Sequence, residues 1–438
     1  MRRTFLTGAS LVLADRVVSG HTLVIEDGRI VEIVNGPRSV APGEVRIDVS
    51  GCVVAPGFID VHVHGAAGTD VMDGPGAVAT VARHLPRWGV TAFCPTSIAC
   101  PPDALHAFLD DVGRVRATPV PPASRVLPAH LESNFINPEF RGAQPASCLR
   151  VPSATSAAAD GGFSSADILA VVDRHKPDVG VMTLAPEIDG GLALTRSLAA
   201  AGVAVSLGHS GASFEEGEAA IAAGARRATH LFNRMRPMTH REPGLAGAVL
   251  AADDVAAELI CDGHHVHPAV LRVAVAAKQP SRVLAITDGT AGSGLVPGAR
   301  ATLGGQAITV GDVARLDDGT MAGSVATMDR VFRCLVECGF DLVQASHMTS
   351  TSPARELGLV RYGVIAVGSA ADLVVLDARL EVVSTWIGGI CVDLAPGRAP
   401  RAHAGAERGN GAPASDGERG SGGTKSPGGT EADRYPSS

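Results

Sequence analysis

Six residues near the ends of apolar runs in this chain are of the types that hold divalent cations and move protons. His62 and His64 stand two apart in GFIDVHVHG, a spacing that puts both imidazoles on one face of a strand. Glu132 closes the run RVLPAHLES, His209 closes VAVSLGHS, His230 lies in RATHLF, and Asp288 lies near the end of RVLAITDG. Taken singly, each has an ordinary reading, such as an incidental histidine or a carboxylate that caps a helix. Together they are imidazoles and carboxylates with no thiolate beside them, a donor set that suits zinc first, with iron, manganese or cobalt as alternatives. Glu132, His209 and His230 would make a one-ion site with a coordination position left for water, and His62, His64 and Asp288 make room for a second ion. A divalent cation of this kind brings the pKa of its water from near 16 to near 7, and Asp288 is then the natural general base.

Elements that could bring these residues together are legible around residues 206–247. There His209 and His230 each end an apolar run, with a helix-like segment between them. Strand, helix and next strand deliver consecutive carboxyl ends to one edge of a parallel sheet. Eight such runs are present, at 58–65, 90–97, 125–133, 179–187, 203–210, 227–232, 256–263 and 282–289, and Ala-rich helical stretches separate them. The count and alternation predict an α/β protein with a (β/α)8 TIM-like barrel over residues 55–360, its chemistry at the carboxyl ends of the strands.

Both chain ends read differently. Residues 1–54 hold short alternating strands, and residues 361–397 repeat that style. Neither piece could bury its faces alone, so they are expected to meet in one small β-sandwich domain. From 398 to 438 the composition turns to Gly, Pro, Ser and Ala, with five Arg/Lys against five Asp/Glu over 401–438, and this tail is expected to be disordered.

With 438 residues and 45% hydrophobic side chains, the chain can bury a large core. A net charge of -8 without a basic run argues against nucleic-acid binding, and no segment is long and apolar enough to span a membrane. Two arginines before an apolar run at the start resemble a short signal peptide. Thr7, Gly8 and Ser10 interrupt that run, so it reads better as a first strand. Eight cysteines scattered through apolar runs, with no CxxC pair, read as buried small hydrophobes in a reducing cytoplasm.

The phrases APGFIDVHVHG, HLES followed by NPEFRGA, SLGHSGA, ATHLFNRM, REPGLAGAV, CDGHHV, ITDGTAG and AGSVATMD, in order over residues 3–393, resemble N-acetylglucosamine-6-phosphate deacetylases of the amidohydrolase superfamily. The resemblance implies hydrolysis of the N-acetyl amide of a small amino-sugar phosphate by a homodimer. It makes Glu132, His209 and His230 ligands of the principal metal and Asp288 the acid/base, with the His62/His64 pair marking a two-ion member. By the same resemblance His265 binds substrate, and Asn233 and Arg241 hold the phosphate, the arginine reaching across the dimer. The planar fork of Arg241 suits phosphate oxygens, although a barrel-surface arginine can equally be solvated, and His264 and His267 flank His265.

Three departures bear on sugar recognition. Ser133-Asn134 replace a Gly-Pro, Gln144 stands where a substrate-contacting histidine is usual, and Arg234 is added beside Asn233. Gln144 can still exchange hydrogen bonds with a sugar but cannot become a cation. A deacetylase for another N-acyl amino sugar, such as the galacto epimer or an unphosphorylated or nucleoside-linked sugar, is therefore the alternative. A non-catalytic barrel used for binding is the rival of a different class.

Overall fold

Eight parallel strands run in sequence order around the centre of the molecule. The computed structural model describes residues 3–39, 41–119, 121–153, 162–392 and 402–403. The strands are β1 (Phe58–Val63), β2 (Val90–Ser97), β3 (Ala129–Glu132), β4 (Val179–Leu184), β5 (Ala204–Leu207), β6 (Arg227–Ala228), β7 (Ala256–Ile260) and β8 (Val283–Ile286). Each pairs in parallel with the next. Closure is made by a parallel bridge from Val63, at the end of β1, to Gly289, just past β8. The amides of His64 and Gly65 both donate to the Gly289 carbonyl, at 2.8 and 3.0 Å. The expected (β/α)8 barrel is thus present.

Most of these strands are shorter than the apolar runs suggest, and except in β3 the trimming is mainly at their carboxyl ends. His209, His230 and Asp288, which follow β5, β6 and β8, have φ of 49°, 29° and 51°. Left-handed backbone at a non-glycine residue ends a strand and is unfavourable by about 1–3 kcal/mol per position. Other non-glycine residues such as Asp27 and Leu380 also have positive φ, but these three are residues singled out for their chemistry.

The outer helices follow from local sequence. Among those that matter below are α1 (Pro102–Ala117), α2 (Ser165–Arg174), α3 (Phe214–Ala222) and α4 (Gly244–Ala251). Between β5 and β6, α3 starts with a capping box in which the Ser213 hydroxyl accepts from Glu216 N–H and the Glu216 carboxylate accepts from Ser213 N–H. Such a cap contributes about 1 kcal/mol. At Gly217 a Cβ would meet the Ala248 Cβ at 2.8 Å, so glycine allows α3 and α4 to approach closely. Helices and strands share a core that includes Phe58, Phe93, Leu131, Leu207 and Phe332.

Strands from both chain ends join one sheet. Thr4–Val12 pairs with Val17–Glu26, and Val53–Pro56 pairs antiparallel with Leu373–Leu376. The first strand forks the sheet. Its residues 4–7 run parallel to Val45–Asp48, while residues 10–11 run parallel to Val53–Val54. Gly8 sits at the fork with φ 84°, and a Cβ there would fall 2.1 Å from the Ser50 hydroxyl oxygen. The fork lets one sheet wrap around its own core of Leu6, Leu11, Leu23, Ile30, Leu373 and Trp386. Arg125, from the barrel, holds Asp372 through Nε and a terminal nitrogen at 2.9 and 3.1 Å.

One element was not anticipated from sequence. Arg300–Leu303, Gln306–Val310 and Ala314–Leu316 form a three-stranded antiparallel sheet beyond β8. Of the expected tail, only Ala402–His403 is described, paired with Arg46 and Ile47, and the remainder lies outside the described residues.

Candidate metal centre

The carboxyl ends of the strands surround a cavity of about 570 Å3, lined among others by His64, Glu132, His209, His230, His265 and Asp288. At its floor two groups of donors converge. In the first, Glu132 Oε1 lies 2.9 Å from both His209 Nε2 and His230 Nε2, which are 3.0 Å from each other. In the second, the Nε2 atoms of His62 and His64 are 3.2 Å apart, and Asp288 Oδ1 is 3.3 and 3.2 Å from them. The groups adjoin, because Glu132 also lies 3.8 Å from His62 and 3.7 Å from His64. All six expected residues are therefore together and buried.

Tautomers test whether this set fits a cation. His209 Nδ1 lies 2.8 Å from the Phe140 carbonyl and His64 Nδ1 lies 3.1 Å from the Thr96 carbonyl, so both must donate there. His62 Nδ1 lies 3.0 Å from Glu258 Oε2 and likewise donates. Each ring, when neutral, then presents an unprotonated Nε2 to the cluster, which is the arrangement of metal-binding histidines whose other nitrogen is pinned by an acceptor. Lone pairs 3 Å apart repel unless a proton or a cation lies between them.

The electrostatics agree. Burial disfavours a charged His64, yet its hydrogen bond to Asp288 and the charges of Glu132 and Asp288 push it up to about 9. Burial likewise opposes a charged His230, but Glu132 raises it. Burial would raise the carboxyls, but His209, His230 and His62 hold Glu132 well below the ordinary range, and His62 and His64 keep Asp288 low. The pocket attracts positive charge, and protons fill that demand when no cation is bound.

Glu258 was missed from sequence. It is a fully buried carboxylate on β7 that orients His62, while its Oε1 has no hydrogen-bond partner among the described residues. His130 Nδ1 is 3.8 Å from that oxygen. The available signal was one acid within the apolar run AAELI. Burial opposes ionisation of Glu258, but His130, His62 and Arg227 keep its pKa low.

The expected substrate residues divide. Asn233, Arg234 and His265 line the cavity, and Arg234 bridges its mouth by donating to the Met321 carbonyl at 3.3 Å. His265 Nδ1 is 2.6 Å from Asp262 Oδ2, whereas His264 is exposed and His267 caps the next helix through the amide of Ala269. Of the three neighbouring histidines, His265 is the one that reaches this cavity. Arg241 is not among the lining residues; it is exposed within 236–242, a run of exposed residues.

Gln144 lines the cavity but has both ends of its amide engaged. Its Oε1 accepts from Ala99 N–H at 2.7 Å, which fixes the orientation, and its Nε2 donates to Glu132 Oε2. Ser133 and Asn134 are buried, and their side chains donate to backbone carbonyls of Thr183, Cys100 and Cys148. They brace the loop after β3, and neither belongs to the cavity lining.

Residues 53–392 match the profile of the Amidohydrolase family. The chain is 35% identical over 388 residues to an N-acetylgalactosamine-6-phosphate deacetylase of Escherichia coli O157:H7, covering 88% of this chain and 98% of that one. It is 38% identical over 360 residues to an N-acetylglucosamine-6-phosphate deacetylase of Danio rerio, covering 78% and 85%. A solved structure of N-acetyl-D-glucosamine-6-phosphate deacetylase from Mycobacterium smegmatis, in complex with N-acetyl-D-glucosamine-6-phosphate, superposes with a TM-score of 0.79 at 31% identity, covering 89% of this chain and 99% of that one.

Proposed function

Because the chain belongs to the amidohydrolase family, whose members are metal-dependent hydrolases, we propose that it hydrolyses the N-acetyl amide of N-acetylglucosamine 6-phosphate to give acetate and glucosamine 6-phosphate. The observation that carries this reading is the convergence of Glu132, His209 and His230 with His62, His64 and Asp288 on the floor of a cavity whose mouth carries Asn233 and Arg234.

Glu132, His209 and His230 would hold one ion, and His62 and His64 a second. Zinc is the first choice, with iron, manganese or cobalt as alternatives. A divalent cation bound there supplies Lewis acidity, polarising the amide carbonyl and lowering the pKa of water. Asp288, held ionised, takes the proton of the attacking water on its carboxylate and returns it to the departing sugar nitrogen. His265, with Nδ1 engaged by Asp262, has Nε2 left for the acetyl carbonyl or a sugar hydroxyl. Asn233 and Arg234 face the anionic end, Gln144 keeps Glu132 in place, and the exposed loop 236–242 brings Arg241 to a partner subunit in a homodimer. Among the described residues no helix is long and apolar enough to cross a membrane. On this reading the enzyme works in the cytoplasm on a small molecule, without a nucleic-acid or membrane partner, and the buried thiols of Cys94 and Cys261 support a reducing compartment.

The galacto epimer is a second reading, favoured by the similarity to the Escherichia coli O157:H7 relative. Measuring kcat/KM for both N-acetyl hexosamine 6-phosphates and their unphosphorylated forms tests these readings together. The gluco 6-phosphate should be preferred. A preference for the galacto epimer moves the assignment to that sugar, and no gain from the phosphate rejects both.

A further inference from the structure

A third convergent group lies outside the cavity, on the helical outer layer. His106 and Asp110 stand four apart on α1, hence on one helix face, and His175 follows α2 directly as its C-terminal cap. His106 Nδ1 is 2.7 Å from His175 Nε2, His106 Nε2 is 3.5 Å from Asp110 Oδ2, and His175 Nε2 is 3.8 Å from Asp110 Oδ1. One donor atom from each residue lies within 4.8 Å of the other two.

We propose that His106, Asp110 and His175 form a separate site for a first-row divalent cation of zinc type, which ties α1 to α2. Two neutral imidazoles and a carboxylate carry one negative charge between them, and borderline cations prefer this mixture of nitrogen and oxygen donors. The side chains are graded in exposure, with His175 10%, His106 34% and Asp110 62% accessible. The buried imidazole fixes the position of the site, while the open side admits the ion and leaves room for water as a further ligand. The alternative occupant is a proton: His106 as an imidazolium would donate from Nδ1 to His175 and from Nε2 to Asp110. Metal and proton therefore compete for the same place.

The fold does not depend on this cation. The turn after His175 is already fastened to α1 by Arg116, which donates to the Pro177 carbonyl at 2.8 Å and pairs with Asp178. Removing one donor should leave the helices packed. None of the three residues lines the central cavity, so the inference is independent of the deacetylase reading.

The test compares the full-length chain with His106→Ala and His175→Gln. Each is stripped with chelator, dialysed against buffered zinc and analysed for zinc per chain. The wild type should hold one ion more than either variant, with acetate release unchanged in both. In the wild type, zinc should also slow amide hydrogen exchange in 102–117 and 165–175, a readout that does not rely on a folded variant. Equal zinc content in folded wild type and variants, or no zinc-dependent protection of these helices, would overturn the site and leave the proton as its occupant.

Discussion

Glu258→Gln should separate the two donor groups of the candidate metal centre. The Glu258 carboxylate accepts the Nδ1 proton of His62 at 3.0 Å inside a fully buried environment, and thereby keeps Nε2 of that ring unprotonated. An amide in the same volume can still accept one hydrogen bond but carries no charge. It also presents an N–H2 group that can face His62 and favour the wrong tautomer. Loss of such a carboxylate behind a ligating histidine weakens metal binding by roughly 10–100-fold. At about 1.4 kcal/mol per decade this corresponds to about 1.4–2.8 kcal/mol, in the range expected for losing the charge assistance of one buried hydrogen bond. His209 is fixed by the Phe140 carbonyl instead. The Glu132, His209 and His230 site should therefore keep its affinity within about threefold, the scatter expected for an unperturbed site. The assay is calorimetric titration of the stripped protein with zinc, in a His106→Ala background so that only the central site is read. Two binding steps are expected, and only the one that belongs to His62 and His64 should shift. Equal weakening of both steps would mean that Glu258 acts on the whole barrel, and no shift in either would remove it as the residue that orients His62.

Four further outcomes follow from the geometry. Asp288→Asn should keep the ion of the Glu132, His209 and His230 group by elemental analysis yet lower kcat by about 10²–10⁴-fold, the usual contribution of a general base. Arg234→Ala should raise KM for the 6-phosphate by about 10-fold or more and leave KM for the unphosphorylated sugar within about twofold, because a charge-assisted contact is lost only in the first case. Gln144→Leu leaves the Ala99 N–H without its acceptor and Glu132 Oε2 without its donor; an unsatisfied buried group is unfavourable by about 1–3 kcal/mol, so denaturant titration should show a drop of that size. Chelation at neutral pH should abolish acetate release, and zinc should restore it without refolding.

The barrel was legible because each strand is an apolar run bounded by turn residues, and the eight runs recur with helices between them. The six candidate ligands were legible because they fall at one end of those runs. Strand lengths were not: the periodicity of VAVSLGHS continues through His209, and nothing local announces that its backbone turns left-handed. Glu258 was hidden for a related reason, since a carboxylate inside a strand gives no sign of which histidine across the barrel it will meet. Gln144 could be read as a substrate contact because its donors and acceptors are suited to one. Only the fold reveals that the Ala99 amide and Glu132 already engage them. Ser133 and Asn134 teach the same lesson, as their unusual side chains brace backbone and do not face the sugar pocket.

The sheet built from both chain ends sets a timetable for biosynthesis. Val53–Pro56 leaves the ribosome early, but its partner Leu373–Leu376 is made more than 300 residues later. At about 5–20 residues per second, the strand waits on the order of 15–60 s with an unpaired edge and an apolar face. The barrel can close during that interval, so the N-terminal strands are best described as a seam sealed last. A chain that stops short of residue 373 would carry a complete set of barrel strands and an open, adhesive edge. Chaperone demand during synthesis should therefore concentrate on residues 4–56 and end when Val382–Ile387 pairs with Leu373–Leu376.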